Sequence, residues 1–498
     1  MRTFVVLSTI AMIAIAPASA QDVPAAKGNV ATYHGDAARS GNFVMPDLTW
    51  ERARTVHPDS NFHAQVAGSV YAQPLYWRSA ADTGVLIVAT EQNEVVALDG
   101  ATGKDIWRRT LGRPVNRGAL SCGNIDPLGI TGTPVIDEAG GALYLNAAIL
   151  DGAAAHHRIF GLSLKDGSVL PGWPIDVGEA VRGFNARDQN QRGALAILDG
   201  KLYVPYGGHF GDCGDYRGRV VSVSLRDSKQ VASWETRARG GGIWAPGGIS
   251  IAGGSLFVAT GNTMGTSSWG DGEAVIRLAP DLHRSNDSRD YFAPSDWHTL
   301  DARDADLGGS NALPFDVEGP SGAMHLVLAL GKDGKAYLLD RDNLGGIGGG
   351  LATETVTQSA IRTAPAVYPV GRDAFVALQA RGANCPAPGL ERFSSHDLVV
   401  LRISAGARPS VSTAWCGSVR GAGAPIVTTT DGRANPIVWI VGAEGDNRLH
   451  GFKGDTGEPL TENGASLVMS GVRHFESLIA AGGRLYVGAD GRIFAFAF

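Results

Sequence analysis

Charge is scarce in this chain. Only 18% of its 498 residues are Asp, Glu, Lys or Arg, and the formal net charge is -6. A helical bundle or coiled coil draws on Glu, Lys and Leu, so this composition argues against either. No dense Lys/Arg run exists, and with it goes the electrostatic footprint of a nucleic-acid binder. Beyond the N-terminus no segment approaches ~20 consecutive apolar residues, so no membrane span is expected. The signatures HExxH, GxxxxGK[ST] and GxSxG are also missing. Cysteine is rare as well: there are four, with no CxxC pair and no CxxCH haem attachment.

What is abundant is glycine. Its 68 residues are about twice the usual share of roughly 7%, without the three-residue period of collagen. Ordinary hydrophobic content argues against disorder. The expected product is a large, turn-rich, all-β protein.

The N-terminus reads as a targeting segment. Arg2 precedes an apolar core from Phe4 to Ala16, and Ala18-Ser19-Ala20 offers a small-x-small cleavage site. Residues 1–20 are therefore expected to be a signal peptide and residues 21–498 the mature, periplasmic or secreted chain. Export makes disulfides the default for Cys122, Cys213, Cys385 and Cys416. Three connectivities are possible, and Cys122–Cys213 with Cys385–Cys416 is the expected one.

The chain also repeats itself. A turn, an apolar strand, a strand of the LYVAT type and a strand of the VALD type recur eight times, beginning near Val70, Thr131, Gly193, Ala245, Leu326, Thr363, Ala424 and Ser477. Short strands of this kind cover their faces by radial stacking of blades. One domain, an eight-bladed β-propeller of four-stranded antiparallel blades, is predicted over 21–498. A stretch such as Asn29 to Met45 is expected to supply the outer strand that closes the ring.

ALDGATGKDIWRRTLG, Ala97 to Gly112, resembles the docking repeat of the exported PQQ-repeat, quinoprotein alcohol dehydrogenase-like propellers, in which the repeat Trp packs between blades. GFKGDTGE at Gly451 is a degenerate second copy. The resemblance implies a pyrroloquinoline quinone (PQQ) cofactor with calcium or a lanthanide. GGGIWAPGG at Gly240 resembles the turn whose Trp lies flat under the quinone, and Trp244 is the match. FVATGN at Phe257 makes Asn262 the metal ligand. WGDGEAVIRL at Trp269 makes Asp271 the catalytic base and a metal ligand, with Glu273 as an added metal ligand. LGKDGKAYLLDRDN at Leu330 puts Lys332 on the quinone oxygens, and VNRG at Val115 puts Arg117 against the cofactor carboxylates. Strand alternation predicts that Asp271 and Glu273 point the same way.

Two departures from the family stand out. No cysteines are adjacent, and its glutamate metal ligand lacks a clean match, with Asp212 and Asp215 nearby and out of register. CGNIDPLGITGTPVID, QNQRGALAI, and DYFAPSDW followed by DADLGG resemble a branch whose members share the fold without a settled activity. Two functions are implied. One is a PQQ-dependent dehydrogenase oxidising an alcohol or sugar-like hydroxyl with an external electron acceptor. The other is a non-catalytic binding or assembly scaffold in the cell envelope, with protein partners, like the propeller subunit of the outer-membrane barrel-assembly machinery. A propeller hydrolase or lyase has no motif behind it.

Overall fold

The computed structural model describes residues 28–78, 84–386, 396–406, 408–461 and 467–498. Residues 1–20, expected to be a signal peptide, lie outside them. Eight small sheets follow one another along the chain and form an eight-bladed propeller, here numbered from the sheet that contains Gly84–Ala89. In that first blade Gly84–Ala89 and Glu94–Asp99 are buried almost end to end. Continuous burial reflects coverage of both faces by neighbouring blades, and it explains the unbroken apolar runs.

Repeat Trp residues join blades as the docking motif implies. Trp107 donates its indole N–H to the carbonyl of Leu164 in blade 2 at 3.0 Å. Trp415 of blade 6 does the same to Gly454 of blade 7 at 2.8 Å. Each indole lies on a turn glycine with positive φ, Gly167 and Gly457, where an added Cβ would sit 2.6 Å from the ring. Only glycine satisfies both demands.

Buried carboxylates make a second set of inter-blade ties. Glu91 of blade 1 accepts the Gly129 N–H and the Thr131 hydroxyl in the loop leading to blade 2. Asp397 of blade 6 accepts the N–H groups of Val419, Arg420 and Gly421 before blade 7.

The closing strand is not the one expected. His57–Pro58 and Ala64–Gln65 pair antiparallel with Arg492–Ala497 and complete blade 8. The earlier stretch enters the axis instead. Its carbonyls at Ala31, Ala37, Ser40 and Gly41 accept the N–H groups of Ile136, Ile251, Val367 and Val427, in the innermost strands of blades 2, 4, 6 and 7. Asn42–Val44 then runs parallel to Ile426–Thr429. Arg39 is fully buried in this plug. Its guanidinium donates to the carbonyls of Ile249 at 2.9 Å and Leu195 at 2.7 Å. The plug supplies the hydrogen bonds that the inner strands' open edges need.

The cysteines pair as Cys122–Cys213 and Cys385–Cys416, the expected connectivity.

Candidate functional site

Loops joining the second and third strands of a blade, and loops leading from one blade to the next, emerge on the same end of the ring. Trp244 lies between blades 3 and 4, and Asn262, Asp271 and Glu273 lie in the strand-connecting loop of blade 4. Lys332 lies in the corresponding loop of blade 5, and Arg117 between blades 1 and 2. The fold therefore delivers all six candidates to one end, but it does not bring all of them together.

Three of them meet around a residue the motifs did not single out, Asp306. Its Oδ2 accepts the Trp244 indole N–H at 3.0 Å, and its Oδ1 accepts the Asn262 main-chain N–H at 2.9 Å. The Lys332 ammonium lies 2.7 Å from Asp306 Oδ2 and 2.7 Å from Asp304 Oδ1. It also sits 5.2 Å from the centroid of the Trp244 ring, within cation–π range. Burial alone would lower the Lys332 pKa, but the carboxylates of Asp306 and Asp304 outweigh it and hold the group above its ordinary value. The Asp306 side chain is 3% exposed and that of Asp304 66%, so one acid anchors the cluster and the other faces solvent.

Asp271 is turned elsewhere. Its carboxylate takes Arg237 Nε and Nη2 at 2.9 Å each and Arg284 Nη2 at 3.2 Å, and it is 1% exposed. The indole of Trp269 covers both guanidiniums. Glu273 points in another direction and accepts the Leu307 N–H at 2.6 Å, the inter-blade tie already seen at Glu91 and Asp397. The expected common orientation fails because Asp271 and Glu273 both have positive φ, 76° and 50°, ahead of the strand rather than in it. Burial, then the charge of Asp306, raises the Glu273 carboxyl. Arg117 lies exposed in the one-turn segment Arg117–Ala119, its main-chain N–H on Asp126, and does not join the Asp306 cluster.

Asp212 does belong to the neighbourhood. Burial raises its carboxyl, Asp306 and Asp304 push it further, and Lys332 acts against them. Tyr216 donates to it at 2.6 Å, and the disulfide to Cys122 pins the adjacent Cys213. For Asp304 and Asp306 the signal was in plain sight as DADLGG; what sequence could not supply was the helix Trp297–Arg303 that ends at Asp304 in a left-handed cap. Among the described residues no helix is long and apolar enough to cross a membrane.

Residues 48–282 match a family model described as outer membrane protein assembly factor BamB. No curated protein matches significantly. Among solved structures, the quinohemoprotein alcohol dehydrogenase ADHIIG from Pseudomonas putida HK5 is 13% identical with a TM-score of 0.69, over 95% of this chain and 80% of that one. The quinohemoprotein alcohol dehydrogenase from Comamonas testosteroni is 16% identical with a TM-score of 0.66, over 96% and 81%. A europium-containing methanol dehydrogenase is 14% identical with a TM-score of 0.66, over 96% and 99%. Residues 48–282 thus carry the repeat of that family, and the chain as a whole has the eight-bladed propeller fold of the quinoprotein alcohol dehydrogenases.

Proposed function

We propose that this chain is a periplasmic or secreted PQQ-dependent dehydrogenase that oxidises an alcohol or sugar-like hydroxyl and passes the electrons to an external acceptor. The convergence of Trp244, Lys332, Asp304 and Asp306 on one end of the ring carries this reading. The residues suit the cofactor. Trp244 is half-buried and fixed through its N–H, a rigid π-surface for a planar ring system. Asp304, Asp306 and the Asn262 amide supply hard oxygen donors for calcium or a lanthanide. Among the described residues no group of three or more His, Cys, Asp or Glu could hold a metal, so a cation here would have to draw on the Asn262 amide as well.

PQQ held over Trp244 and beside Lys332 would supply a two-electron acceptor for the hydride equivalent of the substrate C–H. The remaining work falls to side chains. Asp304, open to solvent, takes the hydroxyl proton as general base. Lys332 holds Asp304 in place and offers positive charge to a developing oxyanion. Asp306 fixes both Lys332 and Trp244. The base is thereby assigned to Asp304 in place of Asp271, whose oxygens are occupied by two guanidiniums.

Calorimetric titration of PQQ into the full chain with calcium, with lanthanum and with neither tests the reading. Cation-dependent binding that Trp244→Ala weakens at least tenfold is expected. The scaffold reading draws support from the family model, which is that of an assembly factor. Absence of binding under all three conditions would leave it in possession.

A further inference from the structure

A groove opens at the other end of the ring from Trp244, where the hairpins joining the first and second strands of each blade turn. It is a cavity of about 390 Å³ walled by the plug, blade 5 and blade 6, a volume in the range of small-ligand sites. Its closed end is the point where the Ser40 carbonyl takes the Val367 N–H. Its open end lies at the blade 6 turn around Gly371 and the blade 7 turn around Gly432. Val367 and Gly371 are four positions apart on the chain, which is ~13 Å of extended backbone.

One wall is a strand with a free edge. The Gly41 carbonyl and the Met45 N–H both bond to blade 7, and along a strand the main-chain groups of successive residues face opposite ways. Those of Asn42 and Val44 therefore face the cavity. Ser40 Oγ takes the Asn42 N–H at 3.2 Å. Among the described residues nothing pairs with the Asn42 carbonyl or with the N–H and carbonyl of Val44. The Val44 side chain is 54% exposed, and Phe315, Val317 and Pro369 line the same cavity. Proline at 369 has no N–H to leave unpaired where blade 6 and the plug diverge.

Charge is divided along the groove. At the closed end the Asp36 carboxylate accepts the Ser40 N–H at 3.0 Å and the Ser40 hydroxyl. Among the described residues no cation lies within ion-pair distance of it, and a carboxylate has about four acceptor positions, so two remain. Arg372 and Arg433 stand exposed at the open end. Arg433 donates once, to the Gly371 carbonyl at 2.9 Å, and Arg372 has no acceptor among the described residues. Of the acids at this end, Asp373 pairs with Arg402 at 2.6 Å and Asp316 with Arg341 at 2.9 Å. That leaves Glu318 against two guanidiniums, so the rim is positive and the closed end negative.

We propose that this groove binds a short peptide with free termini, three or four residues long, as an added strand parallel to Asn42–Val44. The peptide's ammonium sits on Asp36, its main chain pairs with Asn42 and Val44, and its carboxylate lies on Arg372 and Arg433. Apolar side chains rest against Val44 and Pro369. The parallel direction is the one that sets each terminus against opposite charge. The site stands on its own geometry and does not need the dehydrogenase reading.

The test is calorimetric titration of the full chain, disulfides intact, with the tripeptide Ala-Val-Ala, its N-acetyl form, its amide, and the hexapeptide Ala-Val-Ala-Val-Ala-Val. One-site binding of the free tripeptide is expected. Acetylation should weaken it at least tenfold in wild type and have no further effect in Asp36→Asn, because both remove the same charged contact. Amidation should weaken it at least tenfold in wild type and have no further effect in the Arg372→Gln/Arg433→Gln double variant. Pairing each peptide modification with one set of side chains keeps the test decisive even where Asp36→Asn disturbs the plug. The hexapeptide, whose carboxylate overshoots the arginines, should bind at least tenfold more weakly. N-methylation of the second and of the third peptide residue should differ by at least tenfold, since only one of those N–H groups faces the strand edge. No saturable binding of the tripeptide overturns the proposal. So does affinity indifferent to acetylation and amidation, equal affinity for the hexapeptide, or equal loss from the two N-methylations.

Discussion

The Lys332 ammonium lies 2.7 Å from Oδ2 of Asp306, and that same oxygen receives the indole N–H of Trp244. One buried carboxylate thus orients a cation and a π-surface at once. Asp306→Asn keeps the shape and removes the charge. The variant should lose about 1–3 kcal/mol of stability, the cost of leaving a half-buried ammonium with one partner fewer. It should also lose at least tenfold in PQQ affinity. Urea unfolding and calorimetry check the two parts separately.

Asp304 and Asp271 are expected to part company on substitution. Asp304→Asn, at an exposed position, should leave the urea midpoint nearly unchanged and abolish dehydrogenase turnover. Asp271→Asn strips the partner from Arg284, whose side chain is 6% exposed, and should cost about 3 kcal/mol. If Asp271→Asn instead unfolds like wild type and is inactive, the base belongs at Asp271.

Stability should fall as the solution turns alkaline. Burial raises the carboxyls of Glu91, to about 7, and of Glu476 and Glu273, above their ordinary 4.5. A group with a raised folded pKa releases its proton more readily when unfolded, so stability is lost as pH rises from 4.5 through the folded value. Burial lowers His34 to about 3, and His157 and His209 to about 4, from 6.5. These act oppositely, adding stability as pH rises from their folded values toward 6.5. The two sets offset one another below pH ~6.5, and above it only the carboxyls remain. A maximum near pH 6–6.5 is expected, with stability falling steadily toward pH 9. Glu476→Gln should flatten that limb in urea titrations run across the range.

The Cys122–Cys213 crosslink closes a separation of 91 residues. Replacing both cysteines with serine should cost about 3–5 kcal/mol on the chain-entropy view, seen as a lower urea midpoint. Thiol titration of the denatured, unreduced wild type should find no free thiol.

Much of the architecture could be read from the sequence because repetition exposes it. Eight copies of one strand pattern give the blade count, and the resemblance carried by ALDGATGKDIW places Trp107 between blades. The site was harder. Trp244, Asn262 and Lys332 carried enough local pattern to be matched, but the acid that gathers them lies on a different loop. Asp271 drew attention by its place ahead of a strand, yet its partners Arg237 and Arg284 come from segments with no motif of their own. Alternation misled at Glu273 because two left-handed residues reset the facing. The axial plug was misassigned: YHGDAARSGN lies in the stretch expected to form the outer closing strand, and only the inner strands' unmatched N–H groups call for something to fill the axis.

That plug sets an order on assembly. His34 reaches Ser477 across 443 residues, and His57 pairs with Ala497, so the earliest stretch of chain depends on the last. A chain delivered N-terminus first can stack blades 1 to 7 as an open arc through local pairing. The outer strand of blade 8 and the thread's contact at Ser477 must wait for the final turn. Contacts this remote in sequence fold slowly, and until they form the arc exposes apolar blade faces prone to mispairing. Closure is then a single late event that locks core and rim together, and a truncation at either end should leave a sticky crescent rather than a smaller ring.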